Sequence, residues 1–345
     1  MEIDGSSVKR RTAPQYGYRN AFRLEVGMND ENSSAPATPG TGLRIERKLN
    51  YYAVLYLDLM GQRKAIAELE DLTVLRDNQP EYYHRFGEAA GKVWGVRVFL
   101  EDRLRRGIGT ALASVGYPVP SVTIQMFADT IMIYFPWDKE NPNAFITLYS
   151  LLVATAETVI VALASEIPVR GGLDVHAATE VNQRDSEEDA TVIHGGDIWG
   201  PAPKLAYELA EHDHNYMRVR VGQGVRGLLI ESTQWMCDQL AADPHRAIWI
   251  GPAKVASEKV VRLIDSDPVD NHPIVDYLGN AVAEFLTPNT LTLVTNAVSF
   301  AESAYNRLQS NSKSDREVVD KYEKLLTYIK ARQQPNGIVP ILDAR

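Results

Sequence analysis

The chain has 345 residues, enough for one large domain or two small ones, and its 45% hydrophobic and 23% charged residues are ordinary for a globular protein. A formal net charge of −9 and a pI near 5.4 imply no basic surface of the kind nucleic-acid binding requires. The single cysteine, Cys237, excludes a disulfide framework or a cysteine metal cluster within one chain, which fits a cytoplasmic protein, and residues 1–20 lack the apolar core of a signal peptide.

Residues 1–44 are polar and rich in Ser, Pro, Gly and Asn, with "NDENSSAPATPGTG" as the clearest disordered stretch. The first strand is "YYAVLYLDL" (51–59), ending at Met60-Gly61. Helical patterns follow at 62–75 and 80–106. "SVTIQMFADTIMIYFP" (121–136) reads as a hairpin, with strands at 121–127 and 130–135 and Ala128-Asp129 as its turn. A helix covers 142–166. Its apolar part, "ITLYSLLVATAETVIVALA" (146–164), is long enough to span a bilayer. Glu157, several Ser and Thr, and the strand-like flanks favour a buried core helix instead, so no membrane span is expected.

Pro168 introduces a strand, "VRGGLDVHAA" (169–178), and the acidic loop "TEVNQRDSEEDAT" follows. "IHGGDIWGPAPKLAYELAEH" (193–212) reads as a Gly-rich turn opening a helix. "MRVRVGQG", "RGLLIES", "RAIWIG" and "VVRLID" read as short strands, and helices at 287–309 and 314–333 close the chain. The mixture of hairpin and crossover connections predicts an α+β fold around an antiparallel-containing sheet. Three parts are expected: a polar segment 1–44, a main domain 45–285 and a C-terminal helical extension 286–345.

Alternation puts Tyr52, Val54, Tyr56 and Asp58 on one face of the first strand. Asp58, just before a Gly turn, is placed either to cap a helix or to hold a cation, and Asp129 is either a turn residue or a second such ligand. Two carboxylates at neighbouring strand tips are what a divalent-metal phosphoryl-transfer site needs, because hard cations take carboxylate oxygen and fill their shells from phosphates and water. Arg63 and Lys64, with the helix-terminal N–H groups around Gly61 and Gln62, are placed to receive a triphosphate. Arg97 and the "RLRR" cluster (103–106) read either as phosphate contacts or as a charged helix end. "HDH" (212–214) is the one histidine tract with ligand-like spacing and reads better as a solvated helix end.

These landmarks, in this order, resemble the class III nucleotidyl cyclases. That family has F-A-D-I-x-G-F at its first strand, where this chain has "LYLDLMG". Its hairpin reads G-D-x-x-M-A-x-F, against "FADTIMIYF" here. An R-x-G-I strand and a D-I-W-G-x-x-V-N-x-A-x-R helix follow, against "VRGGLDVHAA" and "GDIWGPAPKLAYEL". The resemblance covers about residues 50–215. It implies a ferredoxin-like βααββαβ core with added strands and C-terminal helices. It also implies Asp58, Asp129 and the Leu59 carbonyl as ligands of two Mg²⁺ or Mn²⁺ ions. "HGGD" (194–197) shares two glycines and an acid with the diguanylate cyclase signature but continues "IWG".

The departures are informative. The family's ribose-orienting Asn falls on Lys204, its transition-state Arg on Glu208 and its adenine-reading Lys on Gln125, whereas Asp197 matches the second base-contacting position. This pattern looks like the Pycsar pyrimidine cyclases of bacterial antiphage defence. The resemblance therefore implies cyclisation of UTP to 3′,5′-cyclic UMP, with CTP as the alternative, and a downstream cyclic-nucleotide-binding effector. In this reading Lys204 offsets charge on the transferring phosphoryl group, though it is also placed for a surface pair with Glu208. Gln125 and Asp197 read the base, and Tyr52 or Tyr56 narrows the pocket or merely packs. A head-to-tail homodimer would complete two equivalent sites. A catalytically silent nucleotide-binding dimer and an atypical adenylate cyclase are the rival readings.

Overall fold

The computed structural model describes residues 44–60, 79–112, 120–127, 129–138, 140–184, 194–211, 216–286, 288–311 and 315–340. The expected helix at 62–75, Arg63, Lys64, nearly all of the N-terminal segment and the "HDH" tract lie outside the described residues.

A 16-residue strand, β1 (Arg44–Leu59), runs through the middle of the sheet. It is followed in the described residues by α1 (Gln79–Leu112), β2 (Thr123–Phe127), β3 (Thr130–Trp137), α2 (Pro142–Ala164) and β4 (Val169–Arg184). β1 pairs antiparallel with β3 on one side and β4 on the other, and β2 pairs antiparallel with β3. β5 (His194–Trp199) adds to β4, α3 (Pro201–Glu211) follows, and β6 (Val219–Val221) lies parallel to β4. Two short strands, β7 (Ile264–Ser266) and β8 (Pro273–Val275), complete the order β2-β3-β1-β4-β6-β8-β7.

Both faces of β1 are covered, which is why its apolar residues run almost without interruption. Ala53, Leu55, Leu57 and Leu59 join the main core with Val93, Val96 and Leu100 of α1 and the apolar residues of α2. Tyr52 and Val54, on the opposite face, pack with Met132, Tyr134, Ala178 and Ile198 under Ala202 and Ala206 of α3. Ala202, Ala206 and Ala210 form a small-residue stripe at i, i+4 and i+8, so α3 sits close to the sheet. Gly172 makes that approach possible: a Cβ there would lie 2.2 Å from the Ala206 carbonyl oxygen. At the turn into the helix, Gly200 adopts φ +137°, a backbone conformation suited to glycine.

α2 is long and apolar enough to cross a membrane by length and composition, and 83% of its most apolar window is buried within the protein. Asn141 caps its N-terminus by accepting from the Asn143 N–H, and Pro142 occupies the first turn. Glu157, its one carboxylate, pairs with Arg103 of α1 at 2.8 Å.

Two sequence expectations are corrected here. "RGLLIES" and "RAIWIG" are helical, the first lying in α4 (Gln223–Ala242) and the second, after Arg246 in a 3-10 turn, in α5 (Ala247–Leu263), and only the last two residues of "VVRLID" enter β7. Their buried positions recur at helical spacing, with Val225, Leu229, Ser232 and Met236 in α4 and Ile250, Ala253, Ser257 and Val260 in α5. "HGGDIW", expected as a turn, is strand β5, because β4 runs well beyond its short pairing with β6 and leaves an edge that supplies backbone partners. The closing helices are α6 (Pro288–Ser310) and α7 (Arg316–Ala331), whose apolar faces join the main core.

Away from Asp58, Arg218 is buried between Asp267 and Asp270, donating to Asp270 at 2.6 and 2.7 Å. Burial alone would raise the Asp270 carboxyl, but the Arg218 hydrogen bonds and charge bring it down to about 2. The folded state thus keeps Asp270 ionised where the unfolded chain, with a pKa of about 3.9, takes up a proton. Its contribution is complete above about pH 5 and is lost as pH falls towards 2. In urea titrations, the stability gap between wild type and Asp270→Asn is expected to be widest above pH 5 and to close towards pH 2. At neutral pH, Gly172→Ala is expected to lose about 1–3 kcal/mol, because a backbone carbonyl stands where its methyl must go.

Candidate active site

The strand register assembles the site. In one cross-strand row lie Phe127 on β2, Thr130 on β3, Asp58 on β1 and Arg170 on β4. Gln125, Met132, Tyr56 and Gly172 form the next row. Directly opposed residues share a face, so both rows look towards α3. At the end of β1 the Leu59 N–H donates to the Asp129 carbonyl at 3.0 Å, and the Met60 N–H to the Pro168 carbonyl at 2.8 Å. These two bonds tie the hairpin turn and the start of β4 to the residues just past Asp58. Asp129 is therefore the backbone neighbour of Leu59, one register step from Asp58.

Asp58 is only 6% exposed and does not stand alone. Arg170 donates from Nε to Asp58 Oδ2 at 2.8 Å and from a terminal nitrogen to Glu211 Oε1, on the last residue of α3, at 2.5 Å. Burial works against the Arg170 charge, but the hydrogen bonds and negative charges of Asp58 and Glu211 outweigh it and raise its pKa. Tyr56 hydrogen-bonds Thr130 Oγ1 at 3.2 Å and meets the Tyr207 ring edge-on, with centroids 5.3 Å apart. Burial raises the Tyr56 phenol, the Thr130 bond lowers it and the Asp58 charge adds to the rise, so it stays protonated at neutral pH.

The donor set suits a hard divalent cation. Asp58 offers a carboxylate that already carries a positive group in a nearly closed position, and the backbone of Asp129 meets that of Leu59 at the same strand end. Among the described residues, no group of three or more His, Cys, Asp or Glu side chains is arranged to hold a metal. A cation at this strand end would thus draw further oxygens from a ligand or from water.

The other expected residues divide. Gln125 is half-buried and donates to Tyr134 Oη at 3.4 Å, in the row next to Asp58. Asp197 is exposed on β5. Lys204 projects outward, 72% exposed, 3.5 Å from Glu208, the i,i+4 surface pair foreseen as its alternative role. Tyr52 is enclosed, donating to Glu180 at 3.2 Å and packing edge-on to Tyr134, so within the chain it fills space.

Arg97 lies on α1, on the sheet face opposite Asp58, 3.8 Å from Glu101 and over the Trp94 ring. The "RLRR" arginines pair with Glu157, Glu101 and Asp102. These placements correct the phosphate-contact expectation, because α1 packs against the apolar face of β1 and cannot turn Arg97 through the sheet.

Arg170, Glu211 and Thr130 were missed from the sequence. Their one signal is alternation: Arg170, Gly172 and Asp174 share a face of β4, placing a cation two residues from the glycine that α3 covers.

No protein-family model matches the chain, and no curated protein matches it. Among solved structures, two of bacterial light-regulated adenylyl cyclase are similar, at 14% identity and a TM-score of 0.30. Each match covers 53% of this chain and 46% of the other, so the chain spans about half the length of those structures.

Asp58→Asn removes one charged partner from a guanidinium that keeps Glu211, so it is expected to fold with about 1–3 kcal/mol less stability in urea denaturation. Asp129→Asn, in a half-buried turn that suits Asn, is expected to stay within about 0.5 kcal/mol of wild type.

Proposed function

We propose that this chain is a nucleotidyl cyclase of the class III type, acting on a pyrimidine nucleoside triphosphate, UTP first, to give the 3′,5′-cyclic nucleotide and pyrophosphate. The observation that supports the reading is the register that pairs Asp58 with Thr130 at the end of the central strand, with the Leu59 N–H donating to the Asp129 carbonyl, so that the two aspartates lie one backbone step apart. The strand order β2-β3-β1-β4, with α1 and α2 as the crossings, also supports it, being the order a ferredoxin-like core requires.

In the reaction a bond forms between the ribose 3′ oxygen and the α-phosphorus. The bond from that phosphorus to the bridging oxygen breaks, pyrophosphate leaves with the electron pair, and the hydroxyl proton passes to solvent. Asp58, Asp129 and the Leu59 carbonyl would hold Mg²⁺ or Mn²⁺, two ions in this reading. Bound there, these ions supply the charge that acidifies the 3′-hydroxyl and neutralises pyrophosphate. Gln125, one row along the same face and oriented by Tyr134, offers amide hydrogen bonds to a base edge. A primary amide presents either a donor or an acceptor, so Gln125 accommodates uracil or cytosine.

Asp197 and Lys204 are exposed on β5 and α3, and in this reading a head-to-tail homodimer would bring them to the partner's Asp58. Trp199 and Tyr207, exposed on the same two elements, support a covered surface there. The product would act as a second messenger on a cyclic-nucleotide-binding effector in antiphage defence, in the cytoplasm. The silent nucleotide-binding dimer is favoured by one observation, the guanidinium already seated on Asp58.

Incubating the full chain with ATP, GTP, CTP and UTP separately, with Mn²⁺, and identifying products by mass spectrometry decides between these readings. Cyclic UMP is expected, falling to background in Asp58→Asn and in Asp129→Asn. Cyclic AMP would instead establish an atypical adenylate cyclase, and no product from an intact dimer would favour the silent one.

A further inference from the structure

The side chain that occupies Asp58 has a second acceptor waiting. Arg170 uses Nε for Asp58 and a terminal nitrogen for Glu211, so one bond can break while the other holds. Glu211 is the last residue of α3, half-buried, and its carboxylate can accept two parallel N–H bonds from one guanidinium. The carbonyls that end α3 also favour a cation near that residue. Asp58 and Glu211 share one positive charge between them, leaving a single net negative charge.

Resting on the reading of Asp58 as a cation ligand, we propose that Arg170 is a positioning residue that holds the place of the cation on Asp58 and passes to Glu211 when a divalent ion binds. Without the ion, Arg170 pairs with a nearly closed carboxylate and holds it in place. When the ion arrives, Asp58 Oδ2 is released and Glu211 takes the guanidinium, so no buried charge is left unpaired at either stage. A monovalent cation offers too little charge to displace Arg170, so the exchange selects for divalent ions.

The handover makes a signed prediction for Mn²⁺ binding, read by the electron paramagnetic resonance signal of free Mn²⁺ with the full chain at pH 7.5. Arg170→Gln removes the competing charge a few ångströms from the ion and is expected to tighten binding about tenfold. Glu211→Gln leaves Arg170 with Asp58 alone and is expected to weaken binding by a similar factor. Asp58→Asn is expected to abolish it. A purely structural ion pair would weaken binding in both Arg170 and Glu211 variants, and that result overturns the proposal.

Circular dichroism checks that each variant folds. If Arg170→Gln does not, Arg170→Lys serves, since a lysine reaches one carboxylate at a time and should tighten binding to a smaller extent. Binding that needs Asp58 but ignores residues 170 and 211 refutes the handover alone. Absence of Asp58-dependent Mn²⁺ binding in both wild type and the folded Arg170 variant refutes the cation-ligand reading and the handover with it.

Discussion

Every residue of β1 from Tyr51 to Asp58 has a partner on both neighbouring strands, and the period of two along a strand then leaves each side chain only one face to occupy. A slip of one residue would turn Asp58 into the leucine core that holds Leu55, Leu57 and Leu59. The register therefore commits a carboxylate to the α3 side, where α3 lies close because Gly172 has no Cβ to obstruct it. A carboxylate so enclosed requires a cation, and β4 supplies Arg170 in the same row. Glu211 on α3 then shares that cation, which links the position of the helix to the charge state of the strand end.

This arrangement joins stability and chemistry at one point. The guanidinium that compensates Asp58 in the folded chain is also what any metal must contend with there. Buried ion pairs add little net stability but are costly to break one partner at a time, so such a site tolerates exchange of one cation for another better than loss of either. Arg218 shows the contrasting case: held by Asp267 and Asp270 and lying over the Tyr216 ring, it belongs to a buried structural network. Arg170 differs in that one of its acceptors stands at a strand tip whose backbone adjoins the β2–β3 turn.

Much of this was legible in the sequence where local pattern and tertiary role coincide. Asp58 ends an alternating apolar strand and Asp129 sits in a two-residue hairpin turn, and both signals are short-range. The α4 and α5 segments misled because six- or seven-residue windows such as "RGLLIES" are rich in strand formers, while their helical spacing shows only over two or more turns. β5 was hidden because a Gly-rich stretch has no strand signal of its own and takes its form from β4. Arg170 and Glu211 were missed for a stronger reason. Arg170 lies 112 positions from Asp58 and 41 from Glu211, and only the folded register brings the three together. The expectation for Arg97 failed because a basic residue on a helix does not reveal which side of the sheet that helix will cover.

In the proposed reading, the end of β1 and the β2–β3 turn together form a cation site for a nucleoside triphosphate. Crystals of the full chain grown with Mn²⁺ and a non-cyclisable UTP analogue, with data collected at the manganese absorption edge, test it directly. The account predicts an anomalous peak contacting both the Asp58 and Asp129 carboxylates. Density for the analogue elsewhere, with no manganese at these residues and Arg170 still on Asp58, would contradict it.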